Sequence, residues 1–179
     1  MAQEHLVFQV TVESLARAAG AAMTDAMKEH LRGLGIDYDK PLQATYPRPK
    51  WDLAFEYISE QLFPGEPLPV RHEKLGRRVL DSFTESIIGS VLIAIVRVGG
   101  PRRMIERTAR NLRQANNYTE LELEERKPNE FVMHFNHVSS VDFYRGMLVR
   151  ALELSGAKNP SVTVETPAGE RVEYLVRWD

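Results

Sequence analysis

Apolar and polar positions change period along the chain, and the changes mark its elements. Leu6-Val7-Phe8-Gln9-Val10-Thr11-Val12 is rich in β-branched and aromatic residues and ends in alternation, which predicts a strand. From Ser14 as N-cap, the spacing of Leu15, Ala18, Ala19, Ala22, Met23, Ala26 and Met27 predicts a helix to about Leu31, ended by Gly33 and Gly35. Residues 36–49 hold three prolines and no period, so they read as a long connection pinned by Tyr38 and Tyr46. A helix over about 50–62 would bury Trp51, Ala54, Phe55 and Ile58 before Pro64-Gly65 stops it. The pattern is helical again over about 71–98, with a bend expected near Gly89. Gly99-Gly100-Pro101 breaks it and starts a helix to about Ala115, because proline suits a first helical turn. Asn116-Asn117 is the expected left-handed cap.

Beyond Tyr118 the period shortens. Tyr118–Glu125 and Phe131–Val138 alternate around Lys127-Pro128-Asn129-Glu130, which predicts a hairpin. Ser139 or Ser140 should cap a helix from Val141 to Leu154, with Tyr144, Met147, Leu148, Ala151 and Leu152 as its apolar stripe. A second hairpin should turn at Pro167-Ala168-Gly169. The expected class is α+β: a helical half (about 13–115) followed by a ββαββ half (about 118–179), with helices on one face of an antiparallel sheet. At 179 residues the chain suggests a single domain, 1–179.

Composition removes whole classes of function. A net charge of −2 gives no basic excess, so a nucleic-acid partner is not expected. Cysteine is absent, which excludes disulfides, thiol nucleophiles and cysteine-held metals. The start, Met1-Ala2-Gln3-Glu4-His5, lacks the features of a secretory signal, and the most apolar run, Ile87–Val98, is too short for the roughly 20 residues of a membrane span. A cytoplasmic protein without a membrane span is the expectation. The chain has no Gly-x-Ser-x-Gly, Gly-x-Gly-x-x-Gly, Gly-Lys-Ser/Thr or His-Glu-x-x-His motif, so a non-enzymatic protein is expected. His134 and His137, three apart in a strand, face opposite sides and should not share a metal; the hairpin suggests solvent-facing histidines.

Two stretches carry the candidate chemistry. Ile87, Ile88, Val91, Leu92 and Ile95 belong to a helix that is apolar nearly all round and must be covered on every side. Neighbouring helices, a second copy of the chain or an apolar ligand could do so, and Met147 joins these residues as pocket or interface. Arg103, Arg107 and Arg110 share one helix face and suit an anion or an acidic partner, unless Glu106 and nearby strand carboxylates neutralise them. The expected partner is therefore a second copy or another signalling or scaffold protein, and neither cofactor nor metal is expected.

Several stretches, in this order and spacing, resemble a mostly myxobacterial paralogous family of uncharacterised proteins carrying a domain of unknown function. They are Leu34-Gly35-Ile36-Asp37, Lys40-Pro41-Leu42, Tyr46-Pro47, Leu62-Phe63-Pro64-Gly65 and Leu75-Gly76-Arg77-Arg78, followed by Asn116-Asn117-Tyr118, Tyr144-Arg145-Gly146 and Tyr174–Trp178. Phe83–Gly89 also looks like that family's helix with a Thr-and-Gly element. The family is itself distantly similar to 4-vinyl-reductase-type sensor domains, TRAPP vesicle-tethering subunits and haem-nitric-oxide-binding domains. That similarity implies helices followed by ββαββ, dimerisation through helices and an apolar ligand, hence a ligand-sensing or signalling module. A protein-interaction subunit without ligand and an unrecognised enzyme are the alternatives. The cysteines of the first two types are missing here. The haem type's Tyr-x-Ser-x-Arg clamp is approached only by Tyr57-Ile58-Ser59-Glu60-Gln61, which lacks the arginine, so neither haem nor zinc is expected.

Overall fold

The computed structural model describes residues 4–84, 87–168 and 171–179, with the side chains of 87–93, 111 and 166–168 left out of the description. The helical half comes first. It comprises β1 (Leu6–Phe8), α1 (Gln9–Ala19), α2 (Asp25–Gly33), β2 (Thr45–Pro47), α3 (Arg48–Leu62), α4 (Leu68–Thr84) and α5 (Ile87–Asn111). The second half is β3 (Leu121–Lys127), β4 (Glu130–Phe135), α6 (Val141–Leu154), β5 (Ser161–Ala168) and β6 (Arg171–Arg177). This is the expected α+β plan of helices followed by ββαββ.

The first strand is shorter than its sequence suggests. β1 pairs antiparallel with β2, and Val7 bridges Asn116. The N–H of Phe8 donates to the Ala115 carbonyl at 3.0 Å. With its partners used up by Phe8, the chain coils at Gln9, and Val12 and Leu15 become buried residues of α1. Ser14 is therefore inside a helix, where its hydroxyl donates to the Thr11 carbonyl, and it caps nothing. The cap of α2 is Thr24, which accepts from the N–H of Met27 at 3.2 Å. Residues 36–49 are held as expected by two phenols: Tyr38 donates to the Val12 carbonyl, and the Tyr46 oxygen accepts from the N–H of Gln43.

The sheet order is β3-β4-β6-β5, all antiparallel. Phe131, Met133 and Phe135 of β4 lie opposite Val176, Tyr174 and Val172 of β6 and share one core with the helices. Ser140 is the cap of α6, accepting from the N–H of Phe143 at 3.2 Å. β5 continues through Pro167 and Ala168, which pair with Val172 and Arg171, and Gly169 of the expected turn lies outside the described residues. Asn116 is not left-handed; among the described residues only Asn159 departs from negative φ without being glycine. The Asn116 side chain instead accepts from the N–H groups of Tyr118 and Thr119, at 3.0 and 2.7 Å.

α4 and α6 approach most closely, at two glycines. A Cβ on Gly76 would collide with the Phe143 carbonyl oxygen, and one on Gly146 with the Glu73 carbonyl oxygen. Only hydrogen at both positions lets the backbones meet. Ion pairs flank the crossing, with Arg145 to Glu73 at 2.7 Å, Arg77 to Glu153 at 3.0 Å and Arg150 to Asp81 at 2.6 Å. α5 is bent where Gly100 adopts φ 75° and ψ 177°, so the expected break before Pro101 is present.

Candidate functional site

The close crossing of α4 and α6 cannot be matched by α1 and α5, which leave a cleft alongside it. Two adjoining cavities fill this space, of about 250 and 280 Å³. They share Leu80 and Phe83 of α4, Leu112 and Ala115 at the end of α5, and Met147 of α6. The first extends between α1 and the strand junction, past Val7, Val10, Trp51, Val79, Phe143 and Tyr144. The second extends along α5 and α6, past Val96, Met104, Leu148, Ala151 and Leu154. Together they fall within the range of roughly 300–1,000 Å³ usual for small-molecule sites, with the apolar lining such sites have.

Polar side chains interrupt the apolar lining: Thr11, Ser14, Gln114, Asn116 and Ser139 in the first cavity, Thr84 and Thr108 in the second. Tyr118 and Tyr144 border the first cavity, where burial pushes both hydroxyls up in pKa, so they stay neutral phenols. Arg17 reaches the same cavity and is paired with Glu13 at 3.6 Å. Arg107 lines the second cavity and also an outer groove of about 210 Å³ that holds Ile95, Arg103 and Arg110.

The residues singled out from sequence fall in different places. Met147 lines both cavities. Ile87, Ile88, Val91 and Leu92 belong to α5, and their side chains lie outside the described residues. Ile95 faces outward, 55% exposed, and Val98 beside the bend is 90% exposed. Arg103 and Arg110 are exposed and Arg107 is half-buried. Glu106, expected to neutralise them, is instead paired at 3.2 Å with Arg102, which also grips Glu125 of β3 through two hydrogen bonds. Trp51, Leu80, Phe83 and Leu112 were not anticipated as lining. Each looks like an ordinary core residue of its own helix, and only the packing of α4 against α6 leaves space beside them.

The histidines lie elsewhere. His134 is on the open face of the sheet between Glu173 and Glu124, at 3.1 and 3.2 Å. His137 is not solvent-facing; it is buried against the rings of His5 and Tyr118, beyond the end of β4. His72 is buried between Ser140 and Glu56, and His30 stacks on Tyr57. Among the described residues no three His, Asp or Glu side chains are grouped to hold a metal ion.

Residues 5–179 match the family described as protein of unknown function (DUF2378), and the chain belongs to that family. No curated protein matches the sequence. Solved structures share the fold. The Fe(II) unliganded H-NOX protein from K. algicida matches with a TM-score of 0.64 at 13% identity, covering 95% of each chain. A point variant of T. tengcongensis H-NOX gives 0.65 at 13% identity, over 95% of this chain and 96% of that one. A third, solved in work on haem redox potential and porphyrin distortion, gives 0.67 at 13%, over 96% and 99%. At this identity the likeness establishes the fold alone.

The cleft offers haem neither a histidine nor a thiolate ligand. Haem iron takes a histidine, thiolate, methionine or tyrosine axial ligand. Histidine does not occur in the lining of either cavity or among residues 85–93, and the chain has no cysteine. The lining offers the phenols of Tyr118 and Tyr144 and the thioethers of Met104 and Met147, and methionine ligates haem iron in company with a histidine, which the lining lacks. Among the described helices none is long and apolar enough to cross a membrane.

Proposed function

We propose that this protein is a non-enzymatic ligand-sensing module in which an apolar small molecule, not haem, occupies the paired cavities between α1, α4, α5 and α6. The observation that carries this reading is the pair of adjoining apolar cavities, both lined by Met147. The fold of the H-NOX structures supports it, as does the absence of histidine from the lining. Signalling would run through α5. Its two segments meet at the Gly100 bend, and Val96 and Met104 on either side of that bend line the second cavity.

Trp51 lines the first cavity, whereas Trp178 stacks on Phe131 in the sheet. Titration with decanol, a neutral apolar probe, should therefore shift tryptophan emission saturably. Ala115→Phe, which places a ring in the wall common to both cavities, should abolish the shift while circular dichroism stays unchanged. A folded wild-type protein whose emission does not respond would overturn the reading.

A second reading concerns assembly. Exposure of Ile95 and Val98 in the single chain favours a homodimer joined through α5. Sedimentation should then give twice the chain mass, and Val98→Glu should give the chain mass. A monomeric wild type at micromolar concentration would refute this.

A further inference from the structure

Arg107 stands at the border of two spaces. It lines the second apolar cavity and the outer groove, where Arg103 and Arg110 extend the same helix face. It is half-buried, yet none of the three arginines has a carboxylate partner among the described residues. The nearest acid on the helix, Glu106, is taken by Arg102. In the lining of the first cavity Arg17 already has Glu13. Of the two arginines that line the paired cavities, Arg17 thus has a carboxylate partner and Arg107 has none among the described residues. A guanidinium at the mouth of an apolar cavity without a protein carboxylate beside it can receive a ligand head carrying one negative charge through a two-pronged hydrogen bond.

We propose that the ligand is a single-chain anionic amphiphile. Its tail fills the cavities around Met147, Leu80 and Phe83. Its carboxylate or phosphate head is held by Arg107 at the cavity mouth, with Arg103 and Arg110 adding to the field outside. This rests on the apolar-cavity reading above and adds the head group to it. The two sequence candidates, the apolar pocket and the arginine face, then become two ends of one site.

The test uses the full chain, with Trp51 emission as readout and decanoate, decyl phosphate and decanol as probes below micelle concentration. Decanoate or decyl phosphate should bind at least tenfold tighter than decanol, and whichever is tighter identifies the head. Arg107→Gln should remove that advantage, so that the two anions and decanol bind the variant with equal affinity; Arg107→Lys, which keeps charge but loses the fork, should restore part of it. Decanol binding as tightly as both anions, or anion binding indifferent to Arg107→Gln, would overturn the head-group assignment and leave the apolar cavity standing. If no probe binds, the apolar cavity falls as well.

Discussion

Substitution of Gly76 by alanine tests the packing that creates the cleft. The added methyl meets backbone: the Phe143 carbonyl oxygen well inside contact, and the Met147 nitrogen at 3.0 Å. Neither can rotate aside, so α4 and α6 must separate. A gap of about 0.5–1 Å forfeits a quarter to a half of the attraction between facing atoms. Overpacking of this kind costs about 1–3 kcal/mol, and a backbone neighbour puts this site at the upper end. Alanine returns up to about 1 kcal/mol in helix propensity, leaving a net loss of about 2 kcal/mol. For a chain of this size that lowers Tm by roughly 4–8 °C. Gly146→Ala should cost a similar amount, because its methyl meets the Glu73 backbone, and the double variant should cost less than the sum, because one separation serves both. Gly33→Ala is the control, since nothing lies within 4 Å of a methyl there and its φ is ordinary. Thermal and urea unfolding followed by circular dichroism read all four proteins. Equal stability of Gly76→Ala and Gly33→Ala would refute the close crossing.

Two further outcomes follow from polar groups. Asn116→Ala strips the acceptor from two backbone N–H groups near the first cavity and should cost about 1–3 kcal/mol in urea unfolding; no change would mean that water replaces the side chain. Burial pushes the Glu153 carboxyl up, but hydrogen bonds and charge from Arg150 and Arg77 outweigh it and hold it below the usual carboxylate range. A folded-state value below the unfolded one stabilises the protein above the unfolded value of about 4.3, and that contribution is lost as pH falls through the lower folded value. Stability should drop below about pH 4, and Glu153→Gln should flatten the drop; an identical pH profile for the variant would contradict the assignment.

Much of the architecture is legible because amphipathic helices and half-buried strands each impose a period. The stripe from Tyr144 to Leu152 and the short apolar run Phe131–Phe135 give α6 and β4 without reference to the rest of the chain. Contacts distant in sequence are not legible in this way. Val10 and Val12 alternate like a strand, yet they coil because β1 has spent its pairing on β2 and Asn116. Leu75-Gly76-Arg77-Arg78 and Tyr144-Arg145-Gly146 stand out as separate motifs; only the packed pair reveals that the glycines face the same crossing and that the neighbouring arginines are tied to Glu73 and Glu153. The site was half legible for the same reason. Met147 and Arg107 are conspicuous on their own helices, but their joining through one cleft depends on how α5 lies against α4 and α6.

What the cleft contains is open to direct measurement. Native mass spectrometry of the protein isolated from its own cells without detergent should show, beside the bare chain, a small adduct that dissociates on activation. Ala115→Phe isolated identically should be bare. A wild-type protein that carries nothing, or an adduct that persists unchanged in Ala115→Phe, would contradict the claim that these cavities hold an apolar ligand.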